Sequence, residues 1–351
     1  MKSKATGIKR NKYVFMDVLR CFALIEIIYA HSWGLYADVS GGERVLAWII
    51  KCAVYTAVPI FFMISGALLL KKEDDLKTLL LHRFLRFAVV LVFCQAFQYL
   101  YSIKFELAAF SLQHFVQVLY SDLFASHYWY LYSYLAYILM LPLLRKMVKG
   151  MANKDYIYIF AIYFAVRCVY PVQYLLWGNS VEMIPNFRIS LFLMQDAVFY
   201  PVLGHYLQNV LDINKVTKKA AWLLSGAAAV LLLVSIALDV FARNLGDGTD
   251  FDMYTFACVP SAALFILSKR RYERKTPKEG FAAVAGFFSG VNFATYLFHN
   301  VYMAWLAPVR DAMAPHIGII PADVVYALMT FLVGSAISFV IRLIPGVKKF
   351  I

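Results

Sequence analysis

The amino-acid sequence predicts an all-α fold: a polytopic membrane bundle of about ten transmembrane helices with both termini cytoplasmic. Three observations carry this expectation. Of 351 residues, 62% are hydrophobic and only 16% charged, and the mean hydropathy of +0.67 lies far above that of ordinary soluble chains. Apolar runs long enough to cross a bilayer, at roughly 20 residues each, recur along the whole sequence. The basic residues fall between those runs with a strong bias to alternate connections. No long polar block stands beside the apolar runs, so any chemistry is expected inside the bundle.

Each element follows from its own stretch of sequence. A tail at 1–13 carries Lys2, Lys4, Lys9, Arg10 and Lys12 and is expected in the cytoplasm. The first span, 14–36, contains Asp17, Arg20, Glu26 and His31; a cleaved signal peptide would not carry them, so a retained helix is expected. Further spans are placed near 46–70, 84–103, 128–144, 156–173, 189–207, 220–241, 252–268, 284–308 and 319–343 by hydropathy and by the charges, Gly and Pro around them. The stretch 105–127 is apolar but interrupted by Glu106, Gln113, His114, Gln117 and Asp122, which reads as an amphipathic helix lying at the interface. A crossing there would invert everything after it. With the N-terminus inside, 26 of the 34 Lys and Arg lie in cytoplasmic segments, against six on the far side, with Arg20 and Arg167 within spans. Lys and Arg favour cytoplasmic loops, which supports ten spans. A single transmembrane domain over 14–344 and a cytoplasmic tail at 345–351 complete the organisation, with no internal repeat to divide it.

Composition also excludes classes. The formal net charge of +13 does not gather into one arm or face, so nucleic acid is not an expected partner. Cys21, Cys52, Cys94, Cys168 and Cys258 each stand alone in or beside an apolar run and read as small core residues. No H-E-x-x-H, Cys/His cluster or acidic cage is present, so no metal is expected.

Ionisable side chains at membrane depth are costly and mark candidate sites. Arg20 and His31 are eleven residues apart, which puts them about 20° from one helical face and ~16 Å apart along the axis. Asp17 falls close to the same face. One inward stripe would then carry an acid, a guanidinium and an imidazole. The plainer alternative is a local pair of Asp17 with Arg20 at the interface, with His31 merely bonded to a neighbouring helix. Glu26 points about 140° away from His31, either as a buried hydrogen-bonded carboxyl or as a second titrating group.

Several segments recur in a known family's order. Asp17-x2-Arg20-x10-His31-Ser32, then Pro59-Ile60-Phe61-Phe62-Met63-Ile64-Ser65-Gly66, then Arg83-Phe84-Leu85-Arg86 follow one another. His127-Tyr128-Trp129-Tyr130-Leu131, running on to Pro142, and Tyr296-Leu297-Phe298-His299 complete the set. Together they resemble the integral-membrane acyltransferase 3 family, of the O-acetyltransferase type without an extracytoplasmic esterase-like domain. Two positions depart from its pattern: Asn292 stands where the family commonly has Ser, and Glu26 where it has an aliphatic residue.

The resemblance implies an enzyme of the plasma membrane that moves an acyl group, usually acetyl, from cytoplasmic acetyl-CoA or another acyl-CoA to a hydroxyl of a cell-surface glycan or lipid-linked saccharide. Such a reaction needs a base of near-neutral pKa, an oxyanion stabiliser and a grip on the carrier's phosphates. His31 fits the base. Arg20, an extended pantetheine arm's length away, is expected to hold the carrier. Arg83 and Arg86 are assigned to its phosphates by the motif match, since guanidinium forks suit phosphate oxygens; Lys71, Lys72 and Lys77 need only the inside rule. Ser65 and Gly66 either pack helices closely or lie near the acyl group. Trp129 is a belt residue by composition, while the motif makes His127 and Trp129 acceptor-side residues, with Tyr296 and His299 in support. His299 is expected to be structural. Direct transfer is preferred to a covalent acyl-enzyme. The bilayer, the acyl-CoA and the saccharide are the expected partners. A transporter or flippase for a glycan or small polar solute is the competing class, with an inactive sensor or scaffold the third.

Overall fold

Residues 13–32, 39, 41–106, 110–177, 195–244 and 256–351 are described in a computed structural model, and they form helices and turns with no strand among them. The helices are α1 (Val14–Ala30), α2 (Gly41–Val54), α3 (Ala57–Leu69), α4 (Leu76–Thr78), α5 (Leu85–Glu106), α6 (Leu112–Ser121), α7 (Trp129–Gly150), α8 (Asn153–Trp177), α9 (Asp196–His205), α10 (Lys218–Asn244), α11 (Cys258–Arg274), α12 (Glu279–Ile317) and α13 (Ile319–Ile341). A π-helical stretch, Leu79–Phe84, joins α4 to α5. Six helical stretches among the described residues are long and apolar enough to cross a membrane: Gly41–Leu69, Leu76–Lys104, Ser126–Gly150, Lys218–Leu238, Glu279–Ile317 and Ile319–Ile341. The outer part of the expected first span, the start of those expected at 189–207 and 252–268, and most of the N-terminal tail lie outside the described residues.

The stretch read as interfacial contains α6, a helix of 10 residues, whose rise of ~15 Å is too short to cross a bilayer. Ser111 caps it by accepting the His114 N–H at 3.2 Å, and Tyr99 of α5 stacks on Phe115 and Phe124 to hold it against the bundle.

The centre of the fold is a seam between α1 and α12. Ser289 of α12 reaches Asp17, Asn292 reaches the Arg20 carbonyl, and His299 reaches His31. Residue numbers rise together along both helices in these pairs, so α1 and α12 run parallel. α13 returns along α12 after Gly318, whose φ of +88° suits a residue without a side chain. Thr295–Ser338 and Tyr326–Met303 hydrogen bonds at 3.2 and 2.6 Å tie that hairpin, and the buried Arg310–Asp323 pair at 2.8 Å closes its far end.

The second apolar run is broken between α2 and α3 at Tyr55 and Thr56. Pro59 lies in the first turn of α3, where its missing N–H removes little from the ladder. The break turns the Thr56 hydroxyl toward Glu26, to whose carboxylate oxygens it donates at 3.1 Å. Glu26 is thereby a buried, hydrogen-bonded carboxyl.

α3 also packs on α9, and at Gly66 and Gly204 the two backbones meet directly. A Cβ on Gly66 would run into the Pro201 carbonyl, and one on Gly204 into the Met63 carbonyl; each glycine lies against backbone one turn before the other. This is the close approach that small residues permit in membranes.

On the expected cytoplasmic side, Asp74 organises the turn before α4. It accepts hydrogen bonds from Arg83 at 3.1 and 2.8 Å and from Arg145 of α7 at 3.0 Å, while Arg145 Nε donates to the Leu69 carbonyl at 3.0 Å. Burial alone would push the Asp74 carboxyl up, but the hydrogen bonds and positive charge of Arg145 and Arg83 outweigh it and hold the group below its usual range. The segment expected as a C-terminal tail turns back on the bundle: Arg86 Nε donates to the Phe350 carbonyl at 2.9 Å, and Ile351 packs against the main core.

Two outcomes are expected. Gly66→Ala would gain up to ~1 kcal/mol of helix propensity on an open helix, yet should lose about 1–3 kcal/mol here through overpacking against backbone. Gly226→Ala in α10, where a Cβ meets nothing within 4 Å, is the control, and thermal unfolding in detergent reads both. Because the Asp74 pKa is depressed in the fold, its contribution is fully present above the unfolded carboxylate value of about 4 and is lost as pH falls below that through the depressed folded value. Asp74→Asn should therefore lower the thermal midpoint at pH 7, with the gap to the unsubstituted protein narrowing toward pH 3.

Candidate active site

Three imidazoles meet on the α1–α12 seam at the C-terminal end of α1. His31 is the C-cap of α1, with its backbone N–H shared between the Ile27 and Ile28 carbonyls. Its ring Nδ1 lies 2.7 Å from the Ile27 carbonyl. A carbonyl only accepts, so Nδ1 carries the proton and Nε2 is the lone-pair nitrogen of the neutral ring. The same logic fixes His299, whose Nδ1 donates to the Tyr296 carbonyl at 2.6 Å. His299 Nε2 then faces His31 Nδ1 at 3.4 Å. His127 completes the cluster, its ring centroid 4.4 Å from that of His299 and 5.9 Å from that of His31. It is oriented by Asn300, whose amide donates to Nδ1 at 2.9 Å, and by Nε2 donating to the Leu297 carbonyl at 3.4 Å.

His31 opens on a cavity of about 310 Å³. Ile27, Ala30, Val54, Ala57 and Val58 form its apolar wall, and Tyr55, Trp129, Tyr130 and Tyr296 its aromatic one, with His127 beside His31. The interruption between α2 and α3 is what lets Val54, Tyr55, Ala57 and Val58 line this space. Trp129 is 41% exposed, at the rim. Tyr296 is buried and its hydroxyl donates to the His127 carbonyl, tying α12 to the start of α7.

A second polar centre lies further down the seam. Arg20 Nη1 donates to Asp17 at 3.2 Å and to Ser289 at 3.3 Å, and the Ser289 hydroxyl donates to Asp17 at 2.7 Å. Asn292, where the resembled family commonly has Ser, donates to the Arg20 carbonyl at 2.8 Å. The Arg20 side chain keeps 29% exposure. Arg20 and His31 thus share one face of α1, both turned toward α12, and Asp17 makes both the local pair and a bond across the seam.

Aromatic side chains of α7 connect the two centres. Tyr130, Tyr134 and Tyr137 recur at helical spacing and pack around Phe62 at centroid distances of 5.0, 6.4 and 6.3 Å. Tyr134 also meets Phe87 and, through its hydroxyl at 3.5 Å, Ser65. Arg20 is within electrostatic reach of Tyr130 and Tyr134, and Tyr134 within reach of Arg83 and Arg86. Ser65 therefore faces this column while Gly66 faces α9. Arg83 and Arg86 lie at the opposite end from His31, Arg83 on Asp74 and Arg86 on the Phe350 carbonyl.

The sequence reading missed Ser289 and Asn300, the cavity wall from α2 and α3, and Tyr130 and Tyr134. A signal existed for Ser289, Tyr130 and Tyr134. Ser289, Asn292, Tyr296 and His299 recur at helical spacing in the ninth expected span, a polar stripe on one face, and Tyr130, Tyr134 and Tyr137 mark another. A separate charged centre joins α8 to α9, where Arg167 pairs with Asp196, which also accepts from Tyr163 at 2.8 Å. Among the described residues no group of His, Cys, Asp and Glu is arranged to hold a metal ion.

No curated protein and no solved structure matches the chain. A family described as an acyltransferase domain matches residues 13–341, nearly the whole length. With that match laid over a multi-pass helical bundle, the chain belongs to the acyltransferase 3 family and is a membrane acyltransferase.

Proposed function

We propose that the protein is an O-acyltransferase of the plasma membrane, with both termini cytoplasmic. It moves an acyl group, in the simplest case acetyl, from cytoplasmic acyl-CoA to a hydroxyl of a cell-surface glycan or lipid-linked saccharide. The observation that carries this reading is His31: its Nδ1–H is fixed by the Ile27 carbonyl, which leaves Nε2 as the base nitrogen of a ring that lines a cavity. In this reading the acceptor hydroxyl gives its proton to Nε2 as its oxygen attacks the thioester carbonyl. The tetrahedral adduct then collapses with loss of the C–S bond, and the thiolate takes the proton from His31 to leave as CoA-SH. A positioned base of this kind is worth about 10²–10⁴ in rate.

Arg20 is assigned the carrier. Its five donors exceed the bonds made to Asp17 and Ser289, and its separation from His31, ~16 Å along α1, suits a pantetheine arm. Arg83 and Arg86 are assigned to the nucleotide phosphates; binding would then draw Arg83 partly from Asp74 and Arg86 from Phe350. The apolar wall of Ala57 and Val58 beside His31 suits a short acyl chain, and His127 and Trp129 at the rim are assigned to the acceptor.

Purified protein in lipid nanodiscs with radiolabelled acetyl-CoA, alone and with a panel of mono- and disaccharides, tests the reading. Label transfer is expected, with His31→Ala lowering turnover about 10²–10⁴-fold. Solute movement across vesicles without transfer of label would instead support a transporter. In the same assay Arg20→Ala should raise the acetyl-CoA KM about tenfold or more, the scale of a lost charge-assisted contact; an unchanged KM removes Arg20 from the carrier.

A further inference from the structure

The proton on His31 Nδ1 has two acceptors, and the first is already shared. The Ile27 carbonyl takes both the His31 backbone N–H at 3.3 Å and the ring Nδ1–H at 2.7 Å. The second is His299 Nε2 at 3.4 Å. His299 cannot turn this contact around: its Nδ1–H is held by the Tyr296 carbonyl at 2.6 Å, so in the neutral ring Nε2 offers only a lone pair. The ring is fully buried, clamped between His31 and His127 at centroid distances of 4.8 and 4.4 Å. The nearby acid of α1 serves elsewhere, since Glu26 faces Thr56.

We infer that His299 is a positioning residue that acts through His31. This rests on the reading of His31 as the base. The His299 lone pair holds His31 in the tautomer that presents Nε2 to the cavity. When Nε2 takes the acceptor's proton, the Nδ1–H bond becomes a stronger donor and His299 takes up part of the positive charge. No bond to His299 forms or breaks; the proton that arrived at Nε2 leaves from Nε2 to the departing thiolate, and both imidazoles return to their starting state. An imidazole thus fills the place that a carboxylate holds behind the histidine of many acyl-transfer sites. A neutral partner avoids setting a permanent negative charge in a low-dielectric interior.

The test compares His299→Leu, which removes the lone pair, with His299→Gln, whose amide oxygen can reach the Nε2 position. Nanodisc protein, acetyl-CoA as donor and both water and the saccharide panel as acceptors are used, with CoA-SH release read by chromatography and folding read by thermal midpoint. The Leu variant is expected to lose kcat about 100-fold, within the range for acid–base catalysis, with the acetyl-CoA KM within twofold of the unsubstituted protein. The Gln variant should recover to within about tenfold, an outcome that a merely space-filling role would not produce. A Leu variant as active as the unsubstituted protein, or a Gln variant as slow as the Leu variant, overturns the inference while leaving His31 in place. His31→Ala is run alongside: if it turns over normally, it is the base assignment itself that fails.

Discussion

A bilayer offers no water to satisfy a polar group, so the ionisable residues of α1 depend on partners from other helices. Most of those partners come from α12. Asp17 and Arg20 close a three-membered network with Ser289, the Arg20 carbonyl takes Asn292, and His31 takes His299. The remaining acid, Glu26, looks the other way and is met by Thr56. This requirement explains why α12 runs parallel to α1, why α13 is folded back upon it, and why the second apolar run is interrupted where it is. The cavity beside His31 follows from the same interruption.

Geometry within the seam separates tasks along its length. The arginine end keeps a charge that is compensated but partly exposed. The histidine end is lined by apolar and aromatic side chains, and each imidazole is oriented by a carbonyl or an amide rather than by a carboxylate. Between them, the tyrosines of α7 keep the interior aromatic while offering hydroxyls at intervals. In the proposed reaction such a layout would hold a long, charged carrier at one place while its reactive end lies in a drier one, where electrostatic effects are stronger.

Much of this was legible in the sequence, because the cost of charge in lipid makes each polar residue in a span conspicuous. The all-helical membrane class followed from composition, and the shared face of Arg20 and His31 followed from helical geometry alone. What one helix contributes can be read from its own periodicity; which helix faces it cannot. Ser289 and His299 lay on a readable polar stripe of α12, yet nothing local says that the stripe meets α1. Tyr130 and Trp129 illustrate a second limit. Both look like members of an interfacial aromatic belt, but Tyr130 turns inward onto Phe62 while Trp129 lies at the rim. For Gly66 the sequence left close packing and a place near the acyl group both open, because its opposite number, Gly204, lies in a distant part of the chain.

The bond between Thr56 and Glu26 also bears on how the protein is made. α2 and α3, of 14 and 13 residues, are each shorter than the ~20 residues of a full crossing, and only together, as Gly41–Leu69, are they long enough to span. Glu26 enters the lipid ahead of Thr56 in the order of synthesis and lacks this donor until the following segment has arrived. The contact therefore forms only once both segments are in place, which couples the satisfaction of the buried Glu26 carboxyl to the arrival of α3.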